Sequence, residues 1–254
     1  MNTCRTGFAD WSKFRPYRYA HRGLHDLAAG IPENTMPAFA RAADHGFGVE
    51  LDVHLTTDGR LVVIHDSHLG RLCGIDRKAH ELHSEDYRSL GILGTEYHAP
   101  MLEEVLPIFE GVAPVILEIK ADSGNAVAVT EAACRVMDQF HVTYCMESFD
   151  PRVLIWLRKH RPDICRGQLS CDYGKEASVT LHPLLRKPLA NLRGNFLTRP
   201  DFIAYKFADR AHPAPRRCIR QGAQEVSWTI TTQKDLEIAE QDGCIVIFEG
   251  FFPK

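Results

Sequence analysis

The sequence predicts a (β/α)₈ barrel, and three observations carry that prediction. The chain has 254 residues, close to the ~250 that one such barrel uses, so we expect a single domain. Eight short strand-like runs alternate along it with helical patterns, which is the order of βα units with parallel strands and right-handed crossovers. Hydrophobic residues make up 44% and charged residues 25%, typical of a globular chain with a large core.

The elements follow one another in a regular order. The predicted strands are Tyr19–Gly23, Val49–Val53, Val115–Lys120, Tyr144–Phe149, Ile164–Leu169, Phe202–Phe207, Glu225–Thr229 and Ile245–Glu249. The helical patterns between them are Thr35–Asp44, Leu102–Glu110, Ala126–Phe140, Pro151–His160, Leu181–Leu192, Ala214–Gln221 and Lys234–Gln241. A doubly wound open sheet is the alternative fold, but the first strand is not followed by the G-x-G-x-x-G loop typical of that class.

One segment interrupts the alternation with a predicted β-hairpin. Glu50–Leu55 alternates polar and apolar residues, and Leu61–His65 is a second strand-like run. The Asp-Gly pair at positions 58–59 is typical of a two-residue turn, in which Thr57 pairs with Arg60.

That register predicts a cluster of polar side chains on one face. Counting from the turn places His65 directly opposite Asp52, and Glu50 shares the face because alternate residues of a strand point the same way. The other face is expected to pack beneath the outer helices and carries Leu51, Val53, Val62 and Ile64.

A metal site is the simplest reason for two carboxylates so close together. Glu50 and Asp52 would repel each other inside a barrel unless a cation offset their charge. A third carboxylate, Glu118, lies near the carboxyl end of its strand, where barrel enzymes build their sites. Ligation by oxygen alone favours Mg²⁺, Ca²⁺ or Mn²⁺ over Zn²⁺.

Cationic and imidazole groups nearby indicate phosphate chemistry. The first strand ends in His21, Arg22 and Gly23, and Lys120 closes the strand that carries the third carboxylate. Arg22 can donate two hydrogen bonds to a phosphate, Gly23 allows a sharp turn, and Lys120 adds positive charge. With His21 and His65 as proton donor and acceptor, this set fits metal-assisted cleavage of a phosphate ester.

Together these motifs resemble the glycerophosphodiester phosphodiesterase family, over Arg18–Phe252. The specific matches are His-Arg-Gly at 21–23, Pro-Glu-Asn-Thr at 32–35, Glu-Leu-Asp-Val at 50–53, Thr-x-Asp-Gly at 56–59, Val-x-x-His-Asp at 62–66 and Glu-Ile-Lys at 118–120. Looser matches are Glu147–Pro151, Trp228-Thr229 and Cys244–Gly250. The last strand departs from the pattern, with Glu249 where many members carry Asp.

The resemblance implies a function and a role for each residue. Glu50, Asp52 and Glu118 bind one divalent cation, Mg²⁺ or Ca²⁺; His21 and His65 are the acid–base pair; Arg22 and Lys120 hold the phosphate; and Phe149 and Trp228 line the substrate pocket. In that family a glycerol hydroxyl can attack phosphorus, the other alcohol leaves, and water opens the cyclic phosphate. The segment Ser67–Pro100 corresponds to the insertion after the second barrel strand.

The resemblance implies hydrolysis of glycerophosphodiesters to glycerol 3-phosphate and an alcohol, and two other functions stay open. One is a lysophospholipase D-like activity on the same headgroup chemistry. The other is a non-catalytic barrel that binds metal or phosphodiester, although a pure binder needs no proton-transfer pair.

Composition bounds the partners and the location. A formal net charge of −3 gives no reason to expect nucleic-acid binding. The absence of a signal-like or membrane-spanning apolar run and the dispersed pattern of eight cysteines favour a soluble, cytoplasmic protein with reduced thiols. Between positions 175 and 220 lie ten basic and three acidic residues, expected to form a solvated face, with weak contact to an anionic membrane as the alternative. The sequence does not predict an oligomeric state.

Overall fold

The computed structural model describes residues 11–122, 124–176 and 182–254. Within these ranges the chain forms nine β-strands and nine α-helices. It separates into two compact units, which we call the first unit (Lys13–Tyr144) and the second unit (Cys145–Lys254 with Trp11 and Ser12). The predicted insertion is therefore not a separate unit.

The first unit begins with the predicted order of elements. These are β1 (Tyr19–His21), α1 (Met36–Asp44), β2 (Gly48–Leu55), β3 (Leu61–Val63), α2 (Gly70–Cys73), α3 (Leu102–Phe109), β4 (Val115–Ile119) and α4 (Ala126–Met137). β1, β2 and β4 fall on predicted strands, and α1, α3 and α4 fall on predicted helices. The short helix α2 is not predicted from periodicity, since one turn carries no repeat.

The second unit continues the alternation. Its elements are β5 (Tyr144–Ser148), α5 (Pro151–His160), β6 (Arg166–Ser170), α6 (Pro183–Ala190), α7 (Asn195–Thr198), β7 (Phe202–Lys206), α8 (Pro213–Ile219), β8 (Gln224–Ile230), α9 (Gln233–Gln241) and β9 (Ile245–Phe248). The helix predicted from Leu181 begins at Pro183, and position 181 lies outside the described residues. The one-turn helix α7 was not predicted.

The strand β2 organises the first unit. It pairs in parallel with β1 on one side and with β4 on the other, and antiparallel with β3 at its carboxyl end. The strand is buried from Gly48 to His54, so its polar residues Glu50, Asp52 and His54 have to be satisfied inside the protein.

The predicted hairpin forms, but its predicted register is wrong. Leu55 pairs with Leu61, which leaves a five-residue loop instead of a two-residue turn. Thr56 closes this wider loop, since its amide donates to the Arg60 carbonyl at 3.0 Å. The Asp58 carboxylate accepts from the Ser84 amide at 2.9 Å and the Ser84 hydroxyl at 2.7 Å. The conformation of the loop therefore depends on long-range contacts, which the Asp-Gly pair alone does not predict.

This shift of one position changes which residues face each other. The Ile64 amide donates to the Asp52 carbonyl at 3.0 Å, so Ile64, and not His65, is the residue beside Asp52. Val62 and Ile64 were also expected to pack beneath the outer helices with Leu51. They pack into a core shared with the insertion, whose other buried members include Leu69, Leu72, Ala79, Leu82, Tyr87, Ile92 and Ala99.

The second unit is a run of parallel strands. β5 pairs with β6, β6 with β7, β7 with β8, and β8 with β9. A Cβ at Gly167 in β6 would lie 2.0 Å from the Phe202 ring of β7, so only glycine leaves room for that ring. Helix α5 follows β5, and its N-cap is Asp150, whose carboxylate accepts from the Arg152 amide at 2.8 Å.

Two further properties concern the whole described chain. The seven described cysteines are free thiols, and Cys4 lies outside the described residues. Among the helices in the described ranges, none has the length and apolar character needed to cross a bilayer.

Candidate active site

Three neighbouring strands of the first unit bring carboxylates together. In the parallel register, Glu50 of β2 aligns with His21 of β1, and Asp52 of β2 aligns with Glu118 of β4. Each of the three carboxylates offers an oxygen within 4.8 Å of the other two, and all three residues are buried. The structure therefore gathers the three residues that the sequence predicted as metal ligands.

Lys120 lies within this carboxylate cluster. Its Nζ is 2.7 Å from Glu118 Oε1 and 2.9 Å from Asp52 Oδ1. Burial alone would raise the pKa of Asp52, but Lys120, followed by His65, holds that pKa well below its usual range. Burial raises the pKa of Glu118 to about 7, and the opposing effect of Lys120 is smaller. Lys120 thus contributes most to keeping Asp52 ionised but does not fully offset the burial of Glu118.

The chain turns sharply after β1 and places Arg22 beside the cluster. Gly23 has φ 82°, and a Cβ there would lie 2.9 Å from Ala38, so the turn requires glycine. Arg22 Nη1 donates to Glu33 Oε1 at 2.7 Å, and Arg22 Nε lies 3.6 Å from Asp52 Oδ2. Nε is buried and makes no hydrogen bond to the described residues, which leaves one donor for a ligand.

Both predicted catalytic histidines lie in the first unit. His21 Nε2 is 3.7 Å from Glu50 Oε2. His65 Nδ1 is 2.7 Å from Asp66 Oδ1, and its side chain is 33% exposed. Burial, followed by Lys120, lowers the pKa of His65 more than its carboxylate neighbours raise it. The neutral imidazole of His65 is therefore the favoured form at pH 7.

A hydrogen-bonded chain fixes the backbone that carries His65. His54 of β2 is fully buried, and its Nε2 lies 3.1 Å from the His65 carbonyl oxygen. Its Nδ1 lies 2.6 Å from Asp122 Oδ2, and the other oxygen of Asp122 accepts from the Ser67 hydroxyl at 2.8 Å. His65 is thus held by contacts beyond the end of β3, which is why it belongs to the site although the predicted strand register is wrong.

Arg71 of helix α2 joins two of these carboxylates. Its Nε donates to Asp66 Oδ2 at 2.7 Å and its Nη2 to Asp66 Oδ1 at 2.9 Å. The same guanidinium donates to both oxygens of Glu33, at 2.9 and 3.0 Å. Asp66 contacts His65 and Glu33 contacts Arg22, so Arg71 ties the insertion to one predicted catalytic residue and to one predicted phosphate ligand.

Asn34 supports Asp52 from the loop before α1. Its Nδ2 donates to Asp52 Oδ2 at 3.0 Å. Its backbone has φ 53°, a conformation that asparagine tolerates better than most residues. Its Oδ1 is buried and has no hydrogen-bond partner within the described ranges.

The sequence predicted no active-site role for six residues of this network. They are Glu33, Asn34, His54, Asp66, Arg71 and Asp122. Three of them lie inside motifs that carried the family resemblance, and Asp122 follows β4 at its carboxyl end, so position alone was a usable signal there. Nothing in the local sequence marks Arg71, whose partners are distant in the chain.

Phe149 and Trp228, predicted to bind substrate, both lie in the second unit. Their rings meet edge to face with centroids 5.7 Å apart. They line a cavity of about 670 Å³. Their role in substrate binding stays a prediction.

The donor set of the first unit fits a hard divalent cation. Three carboxylates supply oxygen ligands only, as Mg²⁺ and Ca²⁺ prefer. Burial is the main cause of the raised pKa of Glu118, because Lys120 only partly offsets the cost of burying its negative charge. A cation at this cluster would supply the missing charge.

Comparisons with solved structures agree with this fold. A solved phosphodiesterase from Oleispira antarctica, in complex with the product sn-glycerol-3-phosphate, superposes with a TM-score of 0.77 at 20% identity and covers 94% of each chain. A glycerophosphodiester phosphodiesterase structure from Thermotoga maritima gives 0.67 at 24% identity, over 91% of this chain and 94% of that one. These likenesses show the fold, and the predicted (β/α)₈ barrel is confirmed.

Sequence comparison defines the family. The Glycerophosphoryl diester phosphodiesterase family matches residues 21–245. A glycerophosphodiester phosphodiesterase from Bacillus altitudinis is 39% identical over 204 residues, which cover 76% of this chain and 82% of that protein. The chain therefore belongs to the glycerophosphoryl diester phosphodiesterase family, a family of phosphoric diester hydrolases, as the sequence predicted.

Proposed function

We propose that this family member hydrolyses glycerophosphodiesters to glycerol 3-phosphate and an alcohol, with a divalent cation and two histidines. The observation that carries the proposal is the register of β1, β2 and β4, which aligns His21 with Glu50 and Asp52 with Glu118. The Oleispira relative is described with sn-glycerol-3-phosphate as its product, which supports the same product here.

The carboxylate cluster holds the cation in this proposal. Glu50, Asp52 and Glu118 provide three ligands, and the bound cation would offset the negative charge that develops on the phosphoryl oxygens. Mg²⁺ and Ca²⁺ both accept such a ligand set. Asn34 keeps Asp52 in place through the hydrogen bond from its amide.

Arg22 and Lys120 hold the phosphate. Arg22 is fixed by Glu33 through Nη1, which leaves its Nε free of hydrogen bonds to the described residues. Lys120 already bridges two of the carboxylates, so its ammonium group is fixed before substrate binds. Fixed donors cost little reorganisation when charge develops on phosphorus-bound oxygens.

The two histidines transfer the protons. One accepts a proton from the attacking glycerol hydroxyl, and the other donates a proton to the oxygen of the leaving alcohol. Water then opens the cyclic phosphate by the reverse transfers. Asp66 orients the ring of His65, and the His54–Asp122 pair fixes its backbone.

A coupled assay for glycerol 3-phosphate tests the proposal. Glycerophosphocholine and glycerophosphoethanolamine are supplied to the protein before and after treatment with a chelator, and then with Mg²⁺ or Ca²⁺ added back. We expect activity to disappear with the chelator and to return with one of the two cations. Activity that persists in metal-free protein would contradict the cation requirement.

A choline-release assay, run beside the glycerol 3-phosphate assay, separates the two rival functions. A lysophospholipase D-like enzyme releases more choline from lysophosphatidylcholine than from glycerophosphocholine. A non-catalytic barrel binds the cation in calorimetry but releases product from neither. The cytoplasmic location, the absence of a nucleic-acid partner and weak membrane contact through residues 175–220 stay predictions.

A further inference from the structure

Three helices of the second unit lie next to one another. Arg158 of α5 donates through Nη1 to the carbonyl oxygens of Phe196 at 3.4 Å and Leu197 at 2.6 Å, both in α7. Only four residues separate α6 from α7 along the chain. Pro151 of α5 and Leu189 of α6 line the same cavity, so these two helices are neighbours as well. We call the exposed sides of the three helices together the α5–α7 surface.

The α5–α7 surface is basic and contains no acidic residue. Neither α5 nor positions 183–200 contain Asp or Glu. Asp150 and Asp163 flank α5, and each pairs with a neighbouring arginine. The other basic side chains of the surface are all at least partly exposed, and they are Arg158, Lys159, Arg186, Lys187, Arg193 and Arg199. Because the whole chain has a net charge of −3, this positive charge is a local feature.

The same surface exposes large apolar side chains. Among the described residues nine large apolar side chains are exposed, and five of them lie on these three helices, namely Ile155, Leu184, Leu185, Phe196 and Leu197. Leu184 is 78% exposed and Phe196 is 56% exposed. Single exposed apolar residues are common on proteins, but a group of them among polar residues is typical of an interaction surface.

We propose that the α5–α7 surface binds a membrane that contains anionic lipids. Lysine and arginine are attracted to an anionic bilayer, and leucine and phenylalanine gain free energy by entering the boundary between headgroups and chains. A nucleic acid would be attracted by the same positive charge, but its phosphates would leave the exposed leucines and phenylalanine in water. The two kinds of side chain together therefore favour a membrane. This surface includes α5, which lies outside the basic segment 175–220, and its role does not depend on the proposed function.

Sedimentation of the full chain with vesicles tests the proposal. One preparation contains phosphatidylcholine alone, and the other is an equimolar mixture of phosphatidylcholine and phosphatidylglycerol. We expect the protein to sediment with the mixed vesicles and to stay in solution with phosphatidylcholine alone. Added salt should release it, since salt screens the attraction between exposed charges. Equal binding to both preparations, or binding to neither, overturns the proposal.

Lys187→Glu and Lys234→Glu form a matched pair that tests the charge. Both lysines are exposed on helices of the second unit, but Lys234 lies on α9, whose other charged residues are acidic. The two variants have the same net charge. One cationic side chain near an anionic bilayer strengthens binding about fivefold, so Lys187→Glu should weaken binding to the mixed vesicles at least about fivefold. We expect a much smaller change in Lys234→Glu, and an equal loss in both variants overturns the proposal.

Phe196→Ser and Phe252→Ser test the apolar contribution. Phe252 is 50% exposed, similar to Phe196, but it follows β9 and lies outside the α5–α7 surface. We expect Phe196→Ser to weaken binding to the mixed vesicles about tenfold, because the ring no longer enters the bilayer, and Phe252→Ser to leave it unchanged. Thermal unfolding shows whether each variant folds, and Leu184→Ser replaces Phe196→Ser if that variant does not. Unchanged vesicle binding overturns the proposal, and binding of a DNA duplex by the same variant would then identify a nucleic-acid surface.

Discussion

The two units carry different kinds of side chain at the carboxyl ends of their strands. The first unit buries charge there, with Asp52 and Glu118 facing each other across neighbouring strands. The second unit places aromatic rings at its strand ends, as Phe149 and Trp228 show. Buried charge has to be compensated by precise partners, whereas an apolar wall only has to be filled. Substitutions in the first unit should therefore abolish chemistry, and those in the second unit should weaken binding.

Asp52→Asn is the variant expected to have the largest effect. Asp52 contacts Asn34, Arg22 and Lys120, in addition to its predicted metal ligation. We expect kcat/KM to fall by more than about 10⁴-fold, beyond the loss of a single acid–base group. The glycerol 3-phosphate assay measures the loss, and calorimetry with Mg²⁺ and Ca²⁺ shows whether the cation is lost as well.

Asp76→Asn is the matched control for this variant. Asp76 lies in the same unit, and its side chain is 99% exposed. We expect no change in activity. Equal activity of Asp52→Asn and wild type would contradict the expectation that substitutions in the first unit abolish chemistry.

The histidine variants come next in size. His21→Ala and His65→Ala each remove one proton-transfer group, which typically contributes about 10²–10⁴-fold. We expect losses in that range in kcat, with cation binding retained, because neither histidine is a predicted ligand. Undiminished turnover in both variants would exclude His21 and His65 as the acid–base pair. The carboxylate cluster would then be the part of the first unit to which catalysis is still assigned.

Arg71→Ala is expected to have an intermediate effect. Arg71 touches neither a predicted ligand nor a predicted catalytic atom, but it holds Asp66 and Glu33 with four hydrogen bonds. We expect kcat to fall about 10–100-fold, as for other partners that orient site residues. Arg71→Lys should recover little, since an ammonium group does not reproduce the planar fork of donors.

The control for Arg71 lies in the same insertion. Arg77 is about half exposed and pairs with Glu81 at 3.5 Å. Arg77→Ala should leave the rate unchanged, and both variants should keep the wild-type cation affinity. A loss of cation affinity in Arg71→Ala would mean that the residue supports the fold of the site as a whole.

The sequence could predict those parts of the site that depend on the order of strands and helices along the chain. Alternation of strands and helices gave the barrel, and parallel register places residues at similar strand positions side by side, which gathers Glu50, Asp52 and Glu118. His65 was predicted to belong to the site for a reason that proved wrong. The contact of Asp58 with Ser84 fixes the conformation of the loop. Rules for turns consider only neighbouring residues, so they do not predict a partner 26 residues away.

Long-range side-chain contacts were beyond sequence reasoning for the same reason. His54 meets Asp122 across 68 residues, and Arg71 meets Glu33 across 38. Each of these residues alone is a common polar side chain with no distinctive spacing. Their roles follow only from the way in which the insertion packs, and its core of small helical turns gives no periodic signal.

The raised pKa of Glu118 predicts how cation binding depends on pH. Below about pH 7 the buried carboxyl holds a proton that a cation has to displace. Affinity should therefore rise about tenfold per pH unit up to about pH 7 and level off above it. Calorimetry in buffers of different ionisation enthalpy measures the affinity and the released proton. An affinity that is constant from pH 5 to pH 8 would contradict this account.

The same group sets the sign of a stability change in the metal-free protein. Because the folded-state pKa of Glu118 lies above the ordinary value of 4.5, the folded state binds more protons between pH 4.5 and 7. Its contribution to stability is complete below pH 4.5 and is lost as the pH rises through 7. In protein treated with a chelator, the free energy of unfolding should therefore lose the contribution of Glu118 between pH 4.5 and 7. A saturating concentration of the cation should restore the lost stability.

Trp228→Phe is expected to have the smallest effect and tests the second unit. Phenylalanine keeps an aromatic ring against Phe149 but removes the buried Nε1 donor, which has no partner among the described residues. If that donor binds substrate, KM for glycerophosphocholine should rise about fivefold with kcat unchanged, since a neutral hydrogen bond contributes about 1 kcal/mol. Trp156→Phe is the control, because Trp156 stacks on His160 and does not line the cavity. A fall in kcat at constant KM would mean that Trp228 acts in the transition state, and the division between a chemical first unit and a binding second unit would then be wrong.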